Sequence, residues 1–206
     1  MVTVTINGTP RNQVGKSSTK ADRSAGQIPC VLYGGDESVH FTTTFNELRG
    51  LVYTPEFKLA DVVVDGKSYR CILKEVQYHP VNDEITHVDF LHLVEGRKIK
   101  VEVPLAFEGT SPGVRAGGKF VQKIRTIKIK TTPAQLVDKM VVNISKLRLG
   151  QSLRIRDIVT VEGVEILNPP ALPIATITIP RALKGVLAEE EEPTTEVAEA
   201  AEAAAE

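Results

Sequence analysis

The sequence has little of what marks a secreted or membrane-spanning protein. Its only two cysteines, Cys30 and Cys71, lie far apart in apolar runs, and no CxxC pair occurs. This spacing excludes a disulfide framework and favours buried, reduced thiols in a cytoplasmic protein. No run approaches the roughly 20 apolar residues of a membrane-spanning helix, so we expect no membrane contact. Residues 1–6 alternate apolar and polar side chains, and we predict no signal peptide there.

Motifs that mark catalytic and metal sites are also missing. Without a G-x-S-x-G elbow to position a nucleophile, His87 and Asp89 do not predict a hydrolase triad. The glycines of residues 114–119 form neither a P-loop nor a dinucleotide fingerprint. The remaining candidates for a metal site have intervals that fit no standard ligand spacing: Cys71, His79, His87 and His92. The sequence therefore predicts no enzyme, no cofactor, no metal site and no small-molecule substrate.

Charge is strongly segregated along the chain, although the net charge is only -1. Residues 1–95 hold nine Lys and Arg against twelve Asp and Glu, whereas residues 96–187 hold sixteen against six. Residues 188–206 hold eight Glu and no basic residue, in a low-complexity Ala/Glu sequence that cannot form a core. This pattern predicts a first domain over 1–95, a basic second domain over 96–187 that contacts a polyanion, and a disordered acidic tail over 188–206.

Hydrophobic periodicity predicts an α+β fold, with a β-barrel-like N-terminal domain that carries short helices. Ser17-Ser18-Thr19 offers an N-cap for a helix through Ala25, with Gly26 as its left-handed end, and apolar spacing predicts a second helix over 45–52. Asp65-Gly66 predicts a tight hairpin turn. Strands of this domain are expected at residues 2–6, 30–33, 39–44, 59–64, 68–77 and 86–93. Short alternating runs at 99–103, 126–130, 140–144 and 174–179 predict an all-β C-terminal domain, a sandwich or a barrel.

A cationic stretch in the first domain is the first candidate for nucleic-acid contact. Arg11, Lys16, Lys20 and Arg23 are accompanied by a single acidic residue, Asp22. Helical spacing places Lys20 and Arg23 on one face, where they could neutralise neighbouring phosphates. A solvated, charged helix face is the commoner explanation of such spacing, so this signal alone is weak.

Polar and aromatic residues near the end of the domain are the second candidate. Strand alternation places His87 and Asp89 on one face, near Gln77 on the preceding strand. Imidazole and amide groups can bond base edges, and an exposed Tyr33 or Tyr78 can stack or donate to phosphate. A His–Asp pair that closes a sheet edge explains the first two residues equally well.

Alternating cations in the second domain are the third candidate. Lys128 and Lys130 share a strand face opposite Ile127 and Ile129. The face is either the solvent side of a half-buried sheet or a contact for an anion. The excess of ten positive charges in residues 96–187 favours the anion.

Several short motifs together resemble a known family, large-subunit ribosomal protein twenty-five. Gly15-Lys16, Thr19-Lys20, Arg23, and the motifs at 29–35, 62–67, 76–80 and 87–90 carry the resemblance in the first domain. The motifs at 103–105, 109–114 and 117–118 resemble the long form of the family, the CTC or general-stress type. The resemblance covers residues 1 to about 185. Family members often carry a basic residue in place of Ala21 and an arginine in place of Tyr78.

The resemblance implies a structural component of the bacterial 50S subunit that binds loop E of 5S rRNA through its N-terminal domain. Lys16, Lys20 and Arg23 are then expected to hold phosphates, Gln77, His87 and Asp89 to meet base or ribose edges, and Tyr33 to anchor the backbone. The full set of RNA contacts that it implies is Arg11, Lys16, Thr19, Lys20, Arg23, Tyr33, Lys74, Gln77, Tyr78, His87 and Asp89.

Two further expectations concern partners. The basic second domain is expected to contact 23S rRNA or neighbouring ribosomal proteins in the cytoplasmic ribosome. The alternative is a two-domain stress protein that acts off the ribosome through protein contacts. Binding to isolated 5S rRNA with a steep salt dependence separates the two, because only the first requires it.

Overall fold

A computed structural model of the chain describes residues 2–35, 37–158 and 163–180, which form two compact units. The first unit comprises the described residues up to 104 together with 126–140 and 163–167. The second comprises 105–125, 141–158 and 168–180. The domain boundary near residue 95 stays a prediction, and the predicted disordered tail over 188–206 lies outside the described residues.

The first part of the chain forms a closed six-stranded barrel with two helices. Its elements are β1 (Thr3–Pro10), α1 (Lys16–Ser24), β2 (Gln27–Tyr33), β3 (Val39–Thr44), α2 (Phe45–Val52), β4 (Leu59–Val64), β5 (Lys67–Tyr78) and β6 (Ile85–His92). The strand order around the barrel is β1-β3-β2-β6-β5-β4. β1 runs parallel to β4 and β2 parallel to β6, while the other neighbours are antiparallel. Closure leaves no long free sheet edge in the barrel.

Alternating apolar residues fill the barrel. Ile6, Phe41 and Phe90 are fully buried, and the two phenyl rings lie 5.8 Å apart between centroids. Leu48 and Leu51 add one face of α2 to the same core. Both cysteines are free and buried there, and burial raises the pKa of the Cys71 thiol to about 12. The expectation of buried, reduced thiols is confirmed.

Two backbone features follow from small or turn-forming residues. Asp65 and Gly66, with φ of 50° and 75°, join β4 and β5 in a tight turn, which confirms the predicted hairpin. Gly8 passes so close to the core that an added Cβ would lie 2.5 Å from Cδ2 of Phe41. A side chain at position 8 would therefore displace the central ring of the barrel.

The start of α1 differs from the prediction. The N-cap is Gly15, whereas Ser17, Ser18 and Thr19 lie inside the helix, so the predicted serine or threonine cap is wrong. The Thr19 hydroxyl instead donates to the Gly15 carbonyl at 2.8 Å. The predicted helix end is correct, since Gly26 has φ of 75° directly after the C-cap.

The described residues that follow β6 are largely β-structure. Their elements are β7 (Ile99–Glu108), α3 (Pro112–Arg115), β8 (Lys119–Gln122), β9 (Thr126–Thr131), β10 (Met140–Asn143), β11 (Ser152–Arg154), β12 (Glu165–Ile166) and β13 (Pro173–Thr178). β9 lies between β7 and β12, and β13 lies between β11 and β8 in a separate sheet. The predicted fold class is confirmed, although α3 was not predicted. No helix among the described residues is long and apolar enough to cross a membrane.

Candidate nucleic-acid interface

The exposed face of α1 carries a cationic groove. Lys16, Lys20 and Arg23 follow helical spacing and, with Gly15 and Thr19, line a shallow depression of about 510 Å³. Within the described residues, neither Lys16 nor Lys20 lies within ion-pair distance of a carboxylate. The first turn of α1 also lacks an acidic residue, so the positive end of the helix dipole adds to the same potential. This groove suits phosphate groups.

Arg11 lies behind the groove and holds α1 in place. Its Nε lies 3.0 Å from the Asp22 carboxylate, and the Arg11 side chain is only 13% exposed. Its Nη2 donates to Thr19 Oγ1 at 2.7 Å. The structure therefore gives Arg11 and Thr19 contacts that fix the helix, and it does not bring the Arg11 guanidinium to the exposed cations.

Arg23 connects α1 to the neighbouring strands. Two of its nitrogens donate to the backbone carbonyl of Thr86, at 2.9 and 3.2 Å. The Thr86 hydroxyl in turn donates to the carbonyl of Gln77 at 3.0 Å. The cationic groove thus adjoins the paired segments of β5 and β6 that carry Gln77 and His87.

The outer faces of β5, β6 and β2 carry the polar candidates side by side. Gln77 pairs with His87, and Glu75 pairs with Asp89, while Val88 and Phe90 point into the core. His87 Nδ1 lies 2.7 Å from Asp89 Oδ1, so the predicted pair forms. A carboxylate there favours a proton on Nδ1 and leaves Nε2 for an external partner.

Tyr33 belongs to the same face. Its pKa is raised, first by burial and then by the charges of Asp89 and Glu75. In the parallel pairing of β2 with β6, Val31 lies opposite Asp89 and Tyr33 opposite Leu91, so Tyr33 lies on the outer face one pair beyond Asp89. The structure therefore brings Tyr33, Gln77, His87 and Asp89 together, beside Arg23.

Two predicted contacts point elsewhere. Lys74 is the extra residue of a bulge in β5, and its ammonium donates to the carbonyl of Lys100 at 3.1 Å. A second irregularity follows Gln77, where Tyr78 pairs with Ile85. Tyr78 is 47% exposed, and burial and the neighbouring Tyr53 raise its pKa.

Sequence reasoning missed Glu75 and Thr86. Glu75 adds a second carboxylate beside Asp89, and Thr86 supplies the carbonyl that holds Arg23. Strand alternation from Gln77 back to Glu75 could have identified the first residue. Nothing in the sequence identifies a backbone carbonyl that binds an arginine 63 residues away.

The lysines of β9 are arranged differently. Ile127 and Ile129 are fully buried, so Lys128 and Lys130 face outward as predicted. Each ammonium, however, lies near a carboxylate on an adjacent strand, Lys128 at 3.5 Å from Glu102 and Lys130 at 3.4 Å from Glu165. Much of the positive charge on this face is neutralised within the sheet.

A small β-rich module with an exposed cationic helix next to a hydrogen-bonding strand face has the features of a nucleic-acid-binding protein. No group of three or more His, Cys, Asp or Glu residues in the described part of the chain could hold a metal ion. These features are typical of one class of protein, the proteins that bind a polyanion such as a nucleic acid.

Comparison with known proteins identifies the family. Residues 6–90 match the ribosomal L25p family, and residues 98–181 match the C-terminal domain of ribosomal protein TL5. The large ribosomal subunit protein bL25 of Cytophaga hutchinsonii is 42% identical over 89% of this chain and 95% of its own length. The bL25 proteins of Bacteroides fragilis and Porphyromonas gingivalis are 40% and 37% identical over 91% and 90% of this chain, and over 98% and 97% of theirs. The chain belongs to the bL25 family of large-subunit ribosomal proteins, and membership places it with the cytoplasmic ribosome.

Proposed function

We propose that this chain is a non-catalytic component of the large ribosomal subunit that binds the loop E region of 5S rRNA through residues 1–95. The observation that carries the proposal is the junction at Arg23. This residue lines the cationic groove with Lys16 and Lys20, and it also contacts the strand that carries His87. Phosphate-binding and base-reading groups therefore adjoin one another.

The two parts of this surface have separate tasks. Lys16, Lys20 and Arg23 neutralise phosphates and release counterions, which supplies affinity that depends on salt. Gln77 and His87 meet base or ribose edges, which supplies specificity. Asp89 holds the imidazole of His87 through the 2.7 Å contact, so His87 presents a defined tautomer to the RNA.

The second domain has a supporting task in this proposal. Its basic residues contact 23S rRNA or neighbouring ribosomal proteins, while the first domain supplies the 5S rRNA contact. Membership in a ribosomal protein family whose models match both parts of the chain favours this assignment.

The test is the affinity of the full chain for 5S rRNA over a range of salt concentrations. We expect binding that weakens steeply as salt rises. His87→Ala should weaken binding about tenfold and leave the salt dependence unchanged, because it removes a base-edge contact of roughly 1–3 kcal/mol and no phosphate contact.

The matched control is His92→Ala. His92 ends the same strand, but its ring packs edge-on against Tyr69 with centroids 5.8 Å apart. We expect this variant to bind 5S rRNA within about twofold of the wild type. Absence of salt-dependent binding by the wild type, or equal losses in both histidine variants, would contradict the proposed function.

A further inference from the structure

A second concave site lies at the end of the barrel, next to the cationic groove. This aromatic cleft has a volume of about 690 Å³ and is lined by residues from α1, β2, the two ends of α2, the β5–β6 loop and the start of β6. The side chains that matter for its chemistry are Arg23, Phe45, Tyr53, His79, Asp83 and Glu84. Arg23 lines both the cleft and the groove, so the two sites are continuous.

Two exposed aromatic rings form one wall of the cleft. Phe45 is 44% exposed and Tyr53 is 53% exposed, and their ring centroids lie 5.8 Å apart at 59°. They begin and follow α2, whose inner face packs Leu48 and Leu51 into the core. The rings themselves are therefore not needed to fill the barrel. Neighbouring exposed aromatic rings in a concave site favour a planar ligand that stacks.

The wall that carries His79 is polar and is held by hydrogen bonds. His79 Nδ1 accepts hydrogen bonds from the backbone N–H groups of Val81 and Asn82, both at 3.3 Å. The neutral imidazole then carries its proton on Nε2 as a donor. The backbone of Asp83 is held at φ of 54° and donates to the His79 carbonyl at 3.0 Å. The loop thus offers fixed donors and acceptors.

Charge distinguishes this cleft from the groove beside it. All charged residues that line the groove are cations, whereas the cleft lining contains the two acidic residues Asp83 and Glu84 beside Arg23. Carboxylates repel phosphate but accept hydrogen bonds from the amino and imino groups of a base. The cleft is therefore suited to an uncharged, planar group with N–H donors.

We propose that the aromatic cleft binds one unpaired nucleobase of the RNA whose phosphates occupy the α1 groove. The proposal rests on the proposed function, since the RNA backbone must pass Arg23 to deliver a base into the cleft. Phe45 and Tyr53 stack on the base, and the His79–Glu84 wall reads its edge. A base displaced from its helix is the form in which RNA presents both a free face and free edges.

The test uses full-length protein and 5S rRNA, with Tyr53→Leu and Phe45→Leu measured singly and together. Loss of stacking should weaken binding about tenfold for each variant. The salt dependence should not change, because no phosphate contact is removed. Dimethyl sulfate should modify one adenine or cytosine less when wild-type protein is bound, and this protection should disappear with the double variant.

Tyr53→Phe is the matched control, because it keeps the aromatic ring and removes only the hydroxyl. We expect its affinity to stay within about twofold of the wild type, and thermal unfolding should verify that all variants fold. Wild-type affinity of both leucine variants would overturn the cleft proposal and leave the 5S assignment intact. Leucine variants that bind RNA normally but lose a ribosomal protein partner would also overturn it. No binding by the wild type would overturn both.

Discussion

Two cationic surfaces of this chain carry similar residues and differ in what surrounds them. On α1, Lys16 and Lys20 line an open groove and have no carboxylate within ion-pair distance among the described residues. On β9, Lys128 and Lys130 lie within 3.5 Å of Glu102 and Glu165. The proposed function therefore assigns the phosphate contact to the region with the negative net charge, because local pairing decides more than the total count.

Charge neutralisation on α1 is expected to have the largest effect. Lys16→Gln with Lys20→Gln should weaken 5S rRNA binding by roughly 30-fold at physiological salt, and the log–log salt slope should fall by about two. Both changes follow because two phosphate contacts and their released counterions are lost. Filter binding at several salt concentrations measures affinity and slope together.

The equal-charge control is Lys128→Gln with Lys130→Gln. This variant loses the same two charges, but the structure pairs those lysines with Glu102 and Glu165. We expect 5S rRNA affinity within about threefold of the wild type. Equal losses of 5S rRNA affinity in the two double variants would contradict the distinction between the surfaces. Net charge alone would then explain the affinity.

Neutralisation of Asp22, the acidic residue of α1, is expected to have the next largest effect, and the sign of the effect separates local pairing from net charge as the cause. If net charge decided affinity, Asp22→Asn would tighten RNA binding. Asp22 holds the largely buried Arg11 at 3.0 Å, so its neutralisation loosens the helix that presents Lys16 and Lys20. We expect affinity to fall about threefold to fivefold, and the free energy of unfolding to drop by about 2 kcal/mol.

The control for this variant is Glu56→Gln. Glu56 lies 3.9 Å from Lys58 and its side chain is 70% exposed, so its removal changes net charge without disturbing α1. Its RNA affinity should equal or slightly exceed that of the wild type. Tighter binding by Asp22→Asn would contradict the bracing role of Arg11.

Much of the fold was predictable because the barrel follows strict alternation and short turn motifs. β3, α2 and β4 have the predicted bounds, and the Asp65-Gly66 turn forms as expected. The predicted N-cap was wrong because Gly15 occupies that position and the hydroxyl of Thr19 forms its hydrogen bond within the helix. Element boundaries are the least reliable part of a prediction from local sequence.

The candidate site was less predictable. Strand alternation predicted the His87–Asp89 pair, because residues two positions apart on a strand lie on the same face. The family resemblance also implies RNA contacts at Arg11 and Lys74. In the structure Arg11 pairs with Asp22 of α1, and Lys74 donates to a backbone carbonyl 26 residues away. Sequence supplies the identity of a cation, and only the fold reveals which cations are already paired.

The smallest expected effect tests whether pairing itself neutralises the β9 surface. Glu165→Gln removes the carboxylate 3.4 Å from Lys130. Glu95→Gln removes one charge from an exposed residue that forms no ion pair within the described part of the chain. Surface pairs contribute little to folding, so the free energy of unfolding should change by less than about 0.5 kcal/mol in both. On a heparin column, Glu165→Gln should elute at higher salt than Glu95→Gln, because it both changes net charge and releases a cation. Elution of the two variants at the same salt concentration would mean that Lys130 contacts polyanions despite its pairing with Glu165. Pairing would then not explain the difference between the β9 lysines and the α1 lysines.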